Sequence, residues 1–401
     1  MATNFYGDGT NSSAGPNTII HYYNKAGVKA ANEVNVYGQW ADRESMPLKM
    51  GKTYKISKWL HIYDRELTDP DFAEKGYLTA RSVEDVSNGL ASDAALSEGA
   101  GAVNKRSIKK ITMETSFARY GEMIDYTDEV EMFSEDAIQV RYREELGRLA
   151  NRRQEDLIQL DMLGTTNIIY TGTATSMITL GEGVAADGST DSLFMVDYDY
   201  IRKASRRLVR NRAVKNTSVV TGSTKIDTRT INKAFYAIIG PEIKFDLESL
   251  TRGAGSAEEF AYIPAYKYAA AANLAEGEVG AMHDVRFIES ESALVYAGEG
   301  AVPPQNYVGN LSITGATDLT SPTDTDRGKF DVFPLLFPTK GSFGTVGLKG
   351  HGKIKFNAQS PSKVELGNPY GTQGFFSYNF WYAGIILQEE KLLKGLACAT
   401  A

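Results

Sequence analysis

The residues able to do chemistry in this chain are few and scattered. There are four histidines, His21, His61, His283 and His351. No two stand at metal-ligand spacing and no H-E-x-x-H occurs, so neither a metal centre nor an imidazole relay is predicted. The one cysteine, Cys398, cannot form an internal disulfide. It lies close to the C-terminus with no histidine near it, which argues against a nucleophile. The stretch VTGSTK (220–225) has the residue types of a phosphate loop but lacks the first glycine and the spacing of the full motif. No G-x-G-x-x-G opens a helix after a strand, and no G-x-S-x-G elbow occurs. Carboxylates are numerous, and any two could meet in a fold, but nothing in their spacing favours a glycosidase-like pair. No catalytic, cofactor-binding or metal-binding residue is assigned, and no cofactor is expected.

One cluster stands out by charge instead. YDYIRKASRRLVRNR (198–212) reads as a helix carrying Arg202, Lys203, Arg206, Arg207, Arg210 and Arg212, with Lys215 beyond. Such a stripe is either a solvated helix face or a surface for a polyanion, bound in a salt-dependent and sequence-indifferent way.

The element that must position the rest is SEDAIQVRYREELGRLANRRQEDLIQLDMLG (134–164). Ser134 suits an N-cap, and Glu135 and Asp136 suit the first turn. Ile138, Tyr142, Leu146, Leu149, Leu157 and Leu160 recur at three- and four-residue spacing, and Gly164 suits the stop. At 1.5 Å per residue a helix over 134–163 spans about 45 Å, the length of a beam on which other elements lean. Its charged face, with Arg141, Arg148 and Arg152, is expected to look toward an interior space or a neighbour. Arg153 and Asp156 interrupt the apolar face too often for an identical helix to zip along it.

Before this helix, KTYKISKWLHIYD and IKKITMETSFARYGEMIDY (108–126) alternate as strands around a polar connection at 64–107. A long hairpin of this kind is weakly stable alone and needs a surface to lie on. The polar start of the chain cannot bury enough to fold by itself, and Ile19, Ile20, Tyr22 and Tyr23 give it a sticky patch. After the helix, 165–194 reads as short strands and turns. From 213 the pattern is mixed α/β: a strand at 217–222, a strand, Gly–Pro turn and helix over 232–250, and a short helix then a turn within 259–282. Strands are predicted at 285–290, 293–298, 331–350 and 353–359, and a strand or helix at 379–397.

The 401 residues, 42% hydrophobic and 23% charged, suffice for a sizeable core. A formal charge of -7 gives no sign of gripping nucleic acid by net attraction. No signal peptide and no membrane span are expected. Arms, a long hairpin, a beam helix and 22 tyrosines suit an assembly better than an isolated monomer.

Three stretches carry a resemblance to a known family. SEGAGA (97–102) with the strand after it resembles an L-x-E-G segment entering a return strand. AFYAIIGPEIKFDL (234–247) with GEVGAMHDVRFIES (277–290) resembles a paired signature. NPYGTQGFFSYNFWYAGIIL (368–387) resembles a D-P-x-x-Q-x-G motif, with Asn368 where aspartate is usual. The family is the major capsid proteins of tailed bacteriophages, schitovirus type, and the likeness runs from about Met50 to Leu396. It implies an α+β, HK-97-type fold. Residues 1–49 would be an N-terminal arm and 50–126 an extended β-hairpin E-loop. Residues 127–212 would be a P-domain, with spine helix 134–163 and the basic helix beside it. A mixed α/β A-domain would occupy 213–350, and 351–401 would return to the P-domain. It implies a structural, non-enzymatic protein that assembles with itself as hexamers and pentamers into an icosahedral head around double-stranded DNA. The head would form in the bacterial host cytoplasm and persist in the virion, with a portal protein and scaffolding or decoration proteins as further partners. An encapsulin-type shell subunit is the alternative. The basic residues 202–212 would then face packaged DNA or an adjacent subunit.

Overall fold

The computed structural model describes residues 36–59, 110–133, 138–217, 232–252, 259–260, 262–268, 274–350, 354–364 and 367–401, with positions 83, 87, 98, 108 and 230. In chain order its strands and helices begin with β1 (Asp42–Met46), β2 (Thr53–Trp59), β3 (Lys110–Ser116), β4 (Ala118–Thr127), α1 (Asp128–Phe133) and α2 (Ile138–Leu163). Then come β5 (Ile168–Tyr170), α3 (Tyr198–Arg210), β6 (Phe235–Ile239), α4 (Pro241–Glu248), β7 (Thr251–Arg252), β8 (Glu259–Phe260) and β9 (Ile263–Pro264). β10 (Glu278–Met282), β11 (Val285–Glu289), β12 (Ile313–Thr314), α5 (Asp324–Arg327), β13 (Lys329–Phe330) and β14 (Phe333–Phe337) follow. The chain ends with β15 (Phe343–Leu348), β16 (Lys355–Gln359), β17 (Gln373–Tyr382), β18 (Gly384–Ile386) and β19 (Leu393–Ala397).

Strands β6, β14 and β19 are buried at every position. Strands that read as near-continuous apolar runs are those covered on both faces. Here they form the middle of a seven-stranded sheet, ordered β5-β19-β14-β6-β11-β10-β9. The period-two alternation of side chains divides its core in two. Phe235, Ala237 and Ile239 of β6 point to one side, with Phe333, Leu335 and Phe337 of β14, and meet Ile201, Ala204 and Leu208 of α3 and Ile243 and Leu247 of α4. Tyr236 and Ile238 point to the other side, with Leu336 and Ile288, and meet Leu146, Ala150, Ile158 and Met162 of α2. The basic helix and the spine helix thus lie on opposite faces of one sheet. This corrects the expectation that they lie side by side. The reason is in α3 itself, whose apolar stripe matches the odd-numbered face of the sheet.

Helix α2 runs unbroken through 26 residues, about 39 Å, and stops at Leu163 before Gly164. Its expected cap at 134–137 lies outside the described residues. Its buried stripe differs from the predicted one. Leu146 is buried, and Tyr142, Leu149 and Leu157 are half-buried, but Leu160 is 55% exposed. Glu155 and Gln159 are buried instead. Each has polar partners that offset part of its desolvation. Glu155 accepts from the backbone N–H of Tyr37 (2.8 Å) and Gly38 (3.2 Å). Gln159, with its amide turned to suit its neighbours, donates to the Ser292 carbonyl (3.1 Å) and accepts from Leu294 N (2.7 Å). Lys394, the second residue of β19, donates to the Leu163 carbonyl at 2.7 Å and so tethers the helix C-terminus to the sheet.

The chain before β1 docks against the beam: Val36 and Tyr37 are buried, and Trp40 lies 4.2 Å from the Tyr236 ring centre. The arm upstream, with its patch at 19–23, lies outside the described residues. Beside α2, the antiparallel sheet β16-β17-β4 turns Phe376, Tyr378, Phe380 and Tyr382 inward. Tyr126 stacks on Phe376 at 5.4 Å.

The strand predicted over 108–126 is two strands. β3 pairs with β2 from Thr53↔Ser116 to Trp59↔Lys110, whereas β4 pairs with β17. Phe117 is the pivot, buried among Met46, Val346 and Ile385, with its N–H donated to the Lys52 carbonyl (3.1 Å). Most of the hairpin's connection lies outside the described residues. A third sheet, β1-β15-β18, carries the other end of the ribbon's contacts.

One other expectation is corrected. Residues 293–298 form turns with one bridge, Tyr296 to Val332, because Tyr296 joins a satellite core rather than a ladder. Within 259–282 the described residues form short strands and a 3-10 turn at Ala265–Lys267, and 269–273, where the rest of the predicted helix falls, lies outside the described residues. Pro264 ends β9, and a proline offers no N–H to continue a ladder. The strand predicted at 217–222 falls largely outside the described residues. C-terminal residues 379–397 form strands, the last inside the seven-stranded sheet.

Candidate functional site

Among the described residues the chemistry-bearing side chains are not brought together. His21, His61, His351 and the stretch 220–225 lie outside the described residues. His283 sits in the β10–β11 turn with φ of 53°, its ring edge-on to Tyr198 and 3.8 Å from Asp284. Among the described residues no group of histidine, cysteine, aspartate and glutamate could hold a metal ion. No described helix is long and apolar enough to cross a membrane. Cys398 is not at a loose end. It is fully buried beside Phe194 and Leu396, and burial pushes its thiol up to about 12, so it stays protonated and unreactive.

The basic helix is assembled as a surface. Asp197 caps it, accepting from Tyr200 N at 2.5 Å, and Arg207 and Arg210 sit in the last turn, where the macrodipole favours cations. Tyr200, Ile201, Ala204, Ser205 and Leu208 are buried, and Arg202, Lys203, Arg206, Arg207 and Arg210 project outward. The six predicted residues are not equivalent. Arg202 is 3.0 Å from Asp199 and lies over the Tyr198 ring. Arg207 donates to the Ile168 carbonyl at 2.7 Å, and burial holds its guanidinium below the usual range. Arg212 takes a positive φ of 55° in the turn that ends the helix, next to Asn211, which donates to Glu390 O (2.7 Å). Lys215 is paired with Asp284 at 2.7 Å. Lys203, Arg206 and Arg210 carry no ion pair among the described residues. They flank an open groove of about 500 Å³ that also takes in Asp199, Val209, His283 and Asp284.

The hairpin β10–β11 holds a second charged feature, which sequence reasoning did not single out. Arg286 is 1% exposed, with Nε 3.7 Å from Glu278 Oε1 and its guanidinium over the Tyr268 ring. Glu278 accepts from Ala275 N at 3.0 Å, and burial raises its carboxyl. The group is enclosed, so it fixes the hairpin rather than meeting a substrate. The signal for it was present in GEVGAMHDVRF. Gly277 adopts φ of 80°, and a Cβ at Gly280 would meet the Tyr262 hydroxyl at 2.3 Å.

The β2–β3 ribbon is the other exposed feature. Tyr54, Ile56 and Met113 pack against the buried cluster of Met46, Phe117, Val346, Ala383 and Ile385, while among the described residues the ribbon's other face is open. Lys58 reaches Glu390 (3.1 Å) and Thr115 donates to the Gly384 carbonyl (2.8 Å). Trp59 is 62% exposed at the far end, beneath the Lys110 ammonium. Met123, Phe356 and Tyr370 are also exposed. Nearby, Asn368 uses both halves of its amide. It donates to the Gln373 carbonyl (2.8 Å) and accepts from Thr372 N (2.9 Å), a double role that an aspartate could not fill.

Comparison with known proteins gives one curated relative and a set of structural neighbours. The major capsid protein of Pseudomonas phage KPP21 is 29% identical over 405 residues, covering 97% of this chain and 95% of that one. The capsid of Ralstonia phage GP4 superposes with a TM-score of 0.55 at 10% identity, covering 98% of this chain and 99% of the other. The capsid structure of Helicobacter pylori bacteriophage KHP30 does so at 0.53 and 10%, covering 99% and 100%. That of cyanophage P-SCSP1u does so at 0.51 and 12%, covering 96% and 94%. No protein-family model matches. At such identities the structural likenesses show the fold, and they show it over the whole chain.

Proposed function

Because the chain belongs to the major capsid proteins of tailed bacteriophages, with the HK-97-type fold, we propose that its work is to build the shell of the virion from many copies of itself. The observation that carries this reading is the match to a curated major capsid protein over 97% of the chain. The exposed face of the β2–β3 ribbon supports it.

On this reading copies associate as hexamers and pentamers into an icosahedral head around double-stranded DNA, joined by a portal protein and by scaffolding or decoration proteins. The protein acts as structure, not as an enzyme. Residues 1–49 serve as the arm, 50–126 as the E-loop and 127–212 as the P-domain. Residues 213–350 serve as the A-domain and 351–401 as the return. The open face of the ribbon offers contact area to a neighbouring copy. The test is expression of the full chain followed by electron microscopy. Closed, regular particles are expected. A chain that stays monomeric at high concentration would refute the reading.

A further inference from the structure

The two ends of the β10–β11 hairpin border surfaces of different charge. At the turn, His283 and Asp284 border the ridge of α3, where Lys203, Arg206 and Arg210 lack partners among the described residues. At the open end a cleft of about 630 Å³ is lined by the carboxylates of Glu278, Glu289 and Glu291 against one cation, Arg152, with Gly277, Val279 and Ser292. Glu289 is already held by Lys244 at 2.6 Å, whereas exposed Glu291 and the adjoining exposed Glu276 have no ion partner among the described residues. Five-residue strands at about 3.3 Å per residue set the two ends some 16 Å apart on one rigid element.

We infer that the basic ridge of α3 docks into the acidic cleft at the open end of the β10–β11 hairpin of a second copy of this chain. The inference rests on the shell reading above. A ridge is convex and a cleft concave, so shape and charge agree. Lys203, Arg206 and Arg210 fall at i, i+3 and i+7, about 10 Å along the helix axis, a length that one cleft can take. The ridge cannot meet its own image, because that would oppose like charges. Contact between two different patches is head-to-tail, and head-to-tail contacts close into rings when the rotation allows. A polyphosphate fits less well, since Asp199 and Asp284 stand in the groove beside the ridge.

The test uses the full chain in assembly reactions followed by sedimentation and electron microscopy. Arg206→Glu with Arg210→Glu should raise the concentration needed for assembly by roughly tenfold or more, as should Glu276→Lys with Glu291→Lys. A chain with all four changes should recover. Thermal unfolding of each variant checks that the fold is intact. A second readout mixes Arg206→Cys chains with Glu291→Cys chains under mild oxidation, and disulfide-linked dimers are expected only in the mixture. Well-folded reversal variants that assemble like the parent would overturn the inference, as would a four-fold variant that does not recover. So would normal shells that have lost only their protection of double-stranded DNA from nuclease, which would give the ridge to nucleic acid. If the parent forms no particles, the shell reading fails, and the mixed-cysteine experiment still reports on the contact separately.

Discussion

Strand β14 and strand β2 differ in how many of their faces the chain itself covers. β14 lies in the middle of the seven-stranded sheet, with α3 and α4 over one face and the spine helix over the other. Among the described residues β2 has a single partner strand, and only one face of that ribbon is packed. The sheet is finished within one molecule. The ribbon is not, and its outer face, with Trp59 at the end, is left for something else to cover. A shell subunit needs both kinds of structure: a body that folds alone, and an extension whose contacts are made by assembly.

The contrast predicts where truncation hurts. Phe337→Ala removes a fully buried ring from β14 and should cost about 3–5 kcal/mol of stability in chemical denaturation of the unassembled chain. Ile56→Ala, on the half-covered face of the ribbon, should cost about 1 kcal/mol. Comparable losses at the two sites would mean that the ribbon is as self-sufficient as the sheet.

Between these extremes is the docking of residues 36–38 on the beam. Glu155→Ala leaves two amides without their acceptor in a largely buried position and should cost about 1–3 kcal/mol. Gly38→Ala should act at the same place, because its Cβ would lie 2.7 Å from Glu155 Oε1. Hydrogen exchange at Tyr37 and Gly38 should quicken in both variants while the amides of β14 stay protected. Quickening in β14 as well would show that this end of the chain is part of the global core.

Carboxylates in the two regions titrate in opposite senses. Burial raises Asp246, against the hydrogen bonds that Thr400 donates to it. A carboxyl that holds its proton more tightly when folded adds stability at low pH, and loses it as pH rises from the ordinary 3.8 through the folded value. Asp246→Asn should therefore flatten the fall in unfolding free energy between acid and neutral pH. An unchanged slope would place the pH dependence in the other buried carboxyls, Glu155, Asp161 and Glu278, whose values burial also raises.

What could be read from the sequence follows the same division. Elements with one dominant period were legible: α2 from its apolar spacing, β2 from alternation, β6 and α4 from the strand–Gly–Pro–helix order. The stripe of α2 was misjudged at Leu160 because burial there follows partners, not hydropathy. Glu155 and Gln159 go inside since backbone groups from 36–38 and 292–294 wait for them. The break at Phe117 was illegible for a related reason. Both halves of 108–126 alternate, and only tertiary contacts decide that one half pairs with β2 and the other with β17. The basic stripe of α3 was plain, but not which of its six cations were already engaged. Arg207 is tied to a backbone carbonyl from β5, and Arg202 to a residue one turn earlier.

The ribbon's own ion pair gives the last prediction. Lys55 and Glu114 face each other across β2 and β3 at 2.8 Å, both well exposed. The lysine holds the carboxyl below its usual range, so whatever the pair adds is present above the ordinary 4.5 and lost as pH falls. Solvent screens such a pair, and holding two long side chains in one geometry costs entropy. Lys55→Ala, Glu114→Ala and the double variant should share the parent's denaturation midpoint in the unassembled chain, with no coupling in the double-mutant cycle. In particles the outcome should differ if the open face of the ribbon is covered by another copy. The same variants should then shift the salt concentration at which particles come apart. Coupling in the free chain and none in particles would reverse the contrast, making the ribbon a finished element and the shell indifferent to it.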